Sequence, residues 1–513
     1  MNGAESLVRT LLACGVDTCF ANPGTSEMHF VAALDAVPGM RCVLGLAEGV
    51  VTGCADGYAR MARKPAATLL HCGPGFANGI ANLHNAKRGR SPVVNIVGDH
   101  ATYHQRYEPP LASDVEALAR PVSQWVRTAA EARSVGARAA EAVQAARTPP
   151  GQVATLVLPA DASWSEGGEV AAPLAPPARR AIEWEVVSSV AQVLGRRENT
   201  ILLLGDESLG ERGLNAAYRI AQATGVRLVA APQVRRMARG RGRPAVNRVP
   251  YNLEPALELF RGVDNIVLAG AKPPVQFFAY PGKPSVVYPP EARLHTLATL
   301  VDDQVTALEA LADELGAPQE TPAWAATADT ALPTGAFRPD AFGALLERLM
   351  PEQAIVADDA VTAGRQLFGH TFNAAPHDWL QITGGAIGHA LPCATGAAIA
   401  APDRKVVCLQ ADGGAMYSLQ ALWTQARENL DVVNVILANR AYRILQAELL
   451  AVGAKPGAAS RDLFDLGRPD LDWTRLAGGM GVEARRVETL EAFADVFRAA
   501  CAKRGPFLIE LAV

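Results

Sequence analysis

No cysteine of this chain stands in a CxxC pair, and no apolar run reaches the ~18 residues that a membrane-spanning helix needs. Long runs of one charge sign are also missing, and the formal net charge is only -4. These absences argue against a nucleic-acid or membrane-surface partner. The N-terminus, MNGAESLVRTLLACGVD, has no basic segment followed by an apolar one, so no secretory signal is expected. The 8 cysteines include several in apolar runs, which points to reduced, mostly buried thiols and a cytoplasmic location. The most basic stretch, VRRMARGRGRP (Val234 to Pro244), has no interleaved aromatics and reads as a solvated loop.

What is present is apolar material in quantity. Hydrophobic residues make up 49% of 513 positions, too many residues for one core. Two irregular stretches rich in Pro and Ala, Ser165 to Ala181 and Leu315 to Asp340, read as linkers. They delimit expected domains at 1–165, 182–315 and 338–513. Each block alternates short apolar strands with helical patterns. The first carries DTCFANPG, RCVLGLAE, AATLLHCGPG, PVVNIVGD and VATLVLPA. The middle carries TILLLGDE, GVRLVAAP, NIVLAGAK and PSVVYPP; the last carries QAIVADD, KVVCLQAD, DVVNVILAN and PFLIELAV. Continuous Val/Ile/Leu strands separated by helices predict parallel sheets covered on both faces. The expected class is therefore α/β, with three doubly wound domains.

The stretch CLQADGGAMYSLQALWTQARENLDVVNVILANRAY, Cys408 to Tyr442, sets Asp412 after one buried strand and Asn439 after the next. Leu419, Leu422, Trp423, Ala426 and Leu430 share one face of the intervening helix, which packs on the sheet and brings the strand ends together. Ligands of open parallel sheets bind beyond such ends. A carboxylate and a side-chain amide there are hard oxygen donors suited to Mg²⁺. Gly413 and Gly414 allow a tight turn, and the following helix start offers N–H groups to a phosphate. The local alternative is an Asp-capped turn beside an unrelated Asn.

This stretch resembles the thiamine diphosphate motif, a GDG triplet followed twenty-odd residues later by NN, with Ala411 and Ala438 replacing the first residue of each. FANPGTSEMHF (Phe20 to Phe30) and LLHCGPGFANG (Leu69 to Gly79) resemble benzoylformate decarboxylase. LGLAEGVVTGCADGYAR (Leu44 to Arg60) is similar to the segment that carries the catalytic glutamate of this class. TGGAIGHALP (Thr383 to Pro392) is similar to the segment that holds the cofactor bent. Together they cover both outer domains in the right order. The resemblance is to thiamine-diphosphate-dependent 2-oxo acid decarboxylases and carboligases, with chains of the acetolactate synthase large subunit type closest overall.

The resemblance implies thiamine diphosphate and Mg²⁺ as cofactors, with Asp412, Asn439 and the carbonyl of Ala441 as metal ligands. Gly413, Gly414, Ala415 and Tyr442 lie near the diphosphate; Asn22, Pro23 and Gly385 are implied cofactor contacts, and Ile387 supports the bend. Glu48 is the implied catalytic acid at the pyrimidine, in a secluded place; its bland reading is a helix-start Glu meeting the macrodipole. His71 is the implied proton donor, against a core histidine. Thr25 stands where a substrate-contacting Ser is found, with helix capping as the alternative. His104 is a second proton-donor candidate, and His100 reads as structural. Asn78 and Phe278, with Phe277 beside it, are candidate substrate contacts. The implied reaction is decarboxylation of a 2-oxo acid through an enamine, with protonation or ligation to a second carbonyl after it. The implied assembly is a homodimer or homotetramer with interfacial sites.

Departures limit this picture. LLLGDESLGERG is not a GxGxxG fingerprint, so bound FAD is not expected. The middle block lacks a second active-site histidine, and the C-terminal part lacks the tryptophan-containing segment of acetolactate synthases. A catalytically silent relative is the competing class; Glu48, Asp412 and Asn439 argue against it. Arg440 stands where related enzymes have Gly. With Arg443 it either grips a second acid group of a 2-oxo diacid or points to solvent and Glu448.

Overall fold

The computed structural model describes residues 1–320, 322 and 331–513. Three sheets organise the chain. The first contains β1 (Thr18–Asn22), β2 (Arg41–Leu44), β3 (Ala66–His71), β4 (Val93–Asp99), β5 (Trp125–Thr128) and β6 (Val153–Pro159), in the order β2-β1-β3-β4-β6-β5. The second contains β7 (Thr200–Leu204), β8 (Arg227–Ala230), β10 (Asn265–Ala269) and β11 (Arg293–Ala298), in the order β11-β10-β7-β8. The third orders β16 (Glu483–Val487), β17 (Phe507–Ala512), β15 (Val432–Ala438), β14 (Val406–Ala411), β12 (Ile355–Asp359), β13 (His377–Gln381) and β9 (Met237–Arg239). Neighbouring strands pair in parallel except β13 with β9. The α/β class with three doubly wound, mostly parallel sheets is as the apolar strand pattern requires.

Several local expectations are corrected. VRRMARGRGRP is no solvated loop: β9 adds an antiparallel edge to the third sheet, and Arg239 is buried among Phe368, Phe372 and Trp379. The aromatics that stack on this arginine come from distant sequence, which is why the basic run looked unaccompanied. PSVVYPP forms no strand; the fourth strand of the second sheet is β11, whose alternation of Arg, His and Thr with apolar residues hid it. β5 (WVRT) and β16 (EARRV) were missed because polar residues interrupt their apolar pattern, and β13 (HDWLQ) because, though buried throughout, it carries His, Asp and Gln. The helix after Asp412 is short, Ala421–Arg427, and buries Thr424 and Gln425 with Leu422, while Trp423 turns toward Arg427. Ser165 to Ala181 contains neither helix nor strand. The stretch Leu315 to Asp340 lies partly outside the described residues, and the helix Pro339–Leu349 already begins at its end. The cysteines are free thiols, all buried or half-buried except Cys42.

Buried clusters join the sheets in pairs. One runs from Leu202 and Val267 of the second sheet to Val356 and Leu409 of the third. Another runs from Val97 and Val157 of the first to Ile355 and Leu508 of the third. Between them the helix Glu48–Ala62 lies against the helix Ala390–Ala400. Gly57 permits this approach, since a Cβ there would sit 2.1 Å from the Cys393 carbonyl oxygen. Asp56 locks the pair: it takes two hydrogen bonds from Arg60 (2.8 and 2.6 Å) and pairs with His389 Nε2 at 2.7 Å.

Candidate active site

Ligands of doubly wound sheets sit where the strand order reverses. In the first sheet that point lies between β1 and β3. The turn after β1 is a 3-10 segment, Thr25–Glu27. Glu27 is buried; its carboxylate accepts the Gly24 N–H at 2.6 Å and the Ser26 hydroxyl, and meets His71 Nδ1 at 2.9 Å. Gly98 of β4 makes room for it, because a Cβ there would lie 1.7 Å from Glu27 Oε1. Ser26 Oγ is 3.0 Å from His71 Nδ1 and 3.4 Å from Cys72 Sγ. Cys72 opens the next helix with φ +50, an uncommon conformation for a side-chain-bearing residue. Burial pushes its thiol up to about 11, with Ser26 opposing and Glu27 adding to the rise.

With Nδ1 engaged, Nε2 is the ring nitrogen of His71 left for a ligand. A cavity of about 360 Å³ lies beside it, lined by Thr25, Ser26, His71, His100, His104 and Trp164 among others. The structure thus brings Thr25, His71 and His104 together. Thr25 is exposed and caps nothing; Gly24 holds the cap position. Ser26, not Thr25, is the hydroxyl that touches His71. His100 is part of the lining rather than remote structure; its ring is 6.0 Å from that of His104 and its Nε2 is buried without a partner. Ser26, Glu27 and Cys72 escaped sequence reasoning, although Ser26 and Glu27 directly follow the NPGT turn.

Glu48 is the first residue of its helix, at the carboxyl edge after β2, and takes a 3.1 Å hydrogen bond from Asn78 Nδ2. It is half-exposed, so the expected seclusion is not met within a single chain. Its place in the first helical turn and a role toward a ligand are compatible. Asn22 ties β1 to the end of β2 by donating to the Gly45 carbonyl at 2.7 Å, and Pro23 comes next, half-buried.

In the third sheet the order reverses between β12 and β14. Asp412 follows β14 and is buried; its Oδ1 accepts the Gly413 N–H at 2.9 Å and its Oδ2 the Arg440 N–H at 2.7 Å. Burial raises its carboxyl, and those N–H groups oppose the rise. Asn439 follows β15, and its Oδ1 accepts the Ala441 N–H at 3.0 Å. Asp412, Asn439 and the Ala441 carbonyl are thus oxygen donors on one tied loop pair, a donor set that fits Mg²⁺. Gly414 and Ala415 lie in the first helical turn, where N–H groups lack intrahelical partners and suit a diphosphate. Tyr442 packs on this turn: a Cβ on Gly413 would sit 2.6 Å from its ring.

Gly385, at φ +78, is exposed, and Ile387 is half-buried. The aromatic next to Gly385 is Phe277, whose ring tip lies 2.6 Å from where a Cβ would stand; the Phe278 ring meets that of Phe277 edge-on, with centroids 4.9 Å apart, and is the more exposed of the two. Asp359, at the end of β12, was not foreseen. Its Oδ2 accepts the N–H groups of Gly388 (2.8 Å) and His389 (3.0 Å) and the Gln410 amide (3.0 Å). Burial pushes this carboxyl up to about 6. The acidic pair in QAIVADD was the available signal.

Arg440 Nε bonds Asp470 at 2.7 Å, and its backbone sits at φ +54, so the Gly of related enzymes answers a left-handed turn. Arg443 is exposed. Glu448, the alternative partner, accepts instead from Tyr251 (3.1 Å) and Tyr280 (2.7 Å).

Both outer sheets thus carry polar, ligand-competent groups where their strand order reverses. Models of the thiamine pyrophosphate enzyme N-terminal and C-terminal TPP binding domains match residues 1–155 and 363–511. The chain belongs to the thiamine pyrophosphate enzyme family. It is 52% identical over 515 residues to the Mycobacterium tuberculosis H37Rv protein provisionally named acetolactate synthase large subunit IlvX, covering 100% of this chain and 99% of that one. Benzoylformate decarboxylase of Pseudomonas aeruginosa is 29% identical over 530 residues, covering 97% and 96%. Among solved structures, the thiamine diphosphate-dependent 4-hydroxybenzoylformate decarboxylase of Rhodococcus jostii RHA1 superposes with a TM-score of 0.84 at 26% identity, covering 99% and 98%. No helix among the described residues is long and apolar enough to cross a membrane.

Proposed function

We propose that the protein is a thiamine diphosphate- and Mg²⁺-dependent decarboxylase of 2-oxo monoacids, with each site assembled from two copies of the chain. The carrying observation is the pairing of an oxygen-donor cradle at Asp412, Asn439 and Ala441 with a separate imidazole group at His71. When bound, thiamine diphosphate supplies the electron sink for loss of carbon dioxide. Asp412, Asn439 and Ala441 hold the metal, and Gly414 and Ala415 offer N–H groups to the diphosphate. Glu48, oriented by Asn78, is the carboxyl that would exchange a proton with the pyrimidine end. His71 delivers a proton from Nε2, with Glu27 and Ser26 fixing the ring through Nδ1. Leu111, Ala160 and Trp164 in the cavity wall suit an apolar substrate side chain, and neither lysine nor arginine is among the lining residues.

Assembly from two copies is supported by the two half-sites opening into different cavities with no lining residue in common. The His71 cavity is lined by residues 25–164, whereas the cavity at Ala441, about 450 Å³, is lined by residues 441–468. Apolar residues stay exposed beside both halves: Leu46 near Glu48, and Tyr417 after the Asp412 turn.

Ligation of the decarboxylated fragment to a second carbonyl is a second reading, favoured by the 52% identity to a chain named for acetolactate synthase. The deciding experiment is a panel of 2-oxo acids with thiamine diphosphate and Mg²⁺, reading carbon dioxide and the organic product. An aldehyde supports decarboxylation and a 2-hydroxy ketone supports ligation. Absence of carbon dioxide from every acid, in protein shown to bind the cofactor, would overturn both.

A further inference from the structure

We propose that Glu27, His71 and Cys72 form a second metal site, which takes a borderline-soft dication of the Zn²⁺ class rather than Mg²⁺. Their ligand atoms all lie within 4.8 Å of one another. Cys72 Sγ is 3.7 Å from His71 Nδ1, and Glu27 Oε2 is 2.9 Å from the same nitrogen. Ser26 Oγ sits among them, 3.4 Å from the sulfur and 3.0 Å from Nδ1. A carboxylate, a thiolate and a neutral imidazole carry two negative charges, which neutralise a dication in a buried place. Oxygen, nitrogen and sulfur together are the donor mixture of zinc sites, and three protein ligands leave one position open. Mg²⁺ wants oxygen donors alone, so the cradle at Asp412 and this site select different ions.

The site is built and reachable. Glu27 is pinned by the Gly24 N–H and walled by Gly98, and Cys72 is held in its left-handed turn. Ser26, His71 and Cys72 also line the 360 Å³ cavity, which provides the way in. On binding, the Cys72 thiol gives its proton to solvent and its sulfur donates a pair to the metal. The proton that His71 Nδ1 holds toward Glu27 passes through solvent to Nε2, and Nδ1 then donates its pair to the metal in place of its link to Glu27 and Ser26. Metal on Nδ1 leaves a neutral ring with Nε2–H, which cannot cycle a proton; this consequence, unlike the site itself, rests on the proposed function.

The test uses the purified full chain in excess Mg²⁺, so that the oxygen cradle is filled, titrated with Zn²⁺ in a calorimeter and with Co²⁺ in a spectrophotometer. One equivalent per chain is expected, with a thiolate-to-cobalt charge-transfer band that Zn²⁺ abolishes. Cys72→Ser should remove the band and weaken Zn²⁺ by at least about tenfold, and Glu27→Gln should weaken it too. Asp412→Ala should leave the Zn²⁺ equivalent intact. Melting curves establish that each variant is folded. No Zn²⁺ equivalent, a cobalt spectrum without the thiolate band, or Zn²⁺ binding lost in Asp412→Ala but kept in Cys72→Ser would overturn the proposal. None of these readings uses turnover, so an inactive decarboxylase would leave this site standing, and failure here would leave the decarboxylase reading standing.

Discussion

The carboxyl edges of the first and third sheets solve one geometric problem with two chemistries. Both place their groups where the strand order reverses, at β1/β3 and at β12/β14, because neighbouring connections leave to opposite sides there and open a crevice. At the first edge the groups are hydroxyl, carboxylate, imidazole and thiol, hydrogen-bonded to one another. At the third they are carboxylate, amide and carbonyl oxygens tied by backbone N–H groups. In the function proposed above, the first arrangement moves protons and the second holds a cation and a diphosphate. A shared architecture therefore settles where chemistry happens, and the side chains settle which chemistry.

The sharpest break in the comparison is Glu48→Gln. Turnover should fall by about 10²–10⁴-fold, the range for loss of a positioned proton carrier, with thiamine diphosphate binding retained. Near-normal turnover would remove Glu48 from the reaction. Asp412→Ala should do the reverse: Mg²⁺-dependent cofactor binding disappears in a fluorescence titration while the first edge is intact. Mixed Glu48→Gln and Asp412→Ala subunits, each inactive, should recover partial activity, since half of the interfacial sites combine intact edges. Verified hybrids that stay inactive would show that the edges do not meet between copies.

Within the first edge, Ser26→Ala should lower turnover by about tenfold, the worth of one hydrogen bond to a charged or charging group. Thr25→Ala should do less, because Thr25 lines the cavity without touching His71. The opposite ranking would restore Thr25 as the working hydroxyl.

The third sheet also carries a pH signature. His377 is buried, and burial with nearby Arg239 lowers its value from 6.5 to about 3. Unfolded chains bind its proton below pH 6.5, whereas the folded chain refuses it until about pH 3. Its contribution to stability is therefore full above pH 6.5 and lost as pH falls toward 3. Asp359, raised by burial to about 6, has the opposite sign: its contribution is full below pH 3.8 and lost as pH rises through 6. Melting temperature measured from pH 7 to 4 should fall less steeply in His377→Asn than in the parent; equal slopes would exclude His377 as a source. The smallest effect is expected for Arg440→Gly. It relieves a left-handed non-glycine residue and loses an exposed ion pair, so stability should change by no more than about 1 kcal/mol. The KM for 2-oxo diacids and monoacids should be equally unaffected; a rise for diacids alone would return Arg440 to the substrate.

Much of this was legible in the residues. Uninterrupted Val/Ile/Leu strands must be buried on both faces, so parallel sheets were expected, and the placing of Asp412 and Asn439 at successive strand ends came from one strand–helix–strand step. β11 and β16 were not legible, because an edge strand exposes part of its surface and loses the apolar pattern. Local sequence decides which groups stand at the end of a strand, here His71 at the end of β3 and Thr25 to Glu27 after β1, since turn and helix starts are short-range matters. Only tertiary structure decided that Ser26, Glu27 and Cys72 converge on one nitrogen of His71. It also decided that Arg239 is buried under aromatics and that Arg440 turns to Asp470. Those pairings join residues from separate strands and segments, and nothing in local propensity records which strand ends a sheet will set side by side.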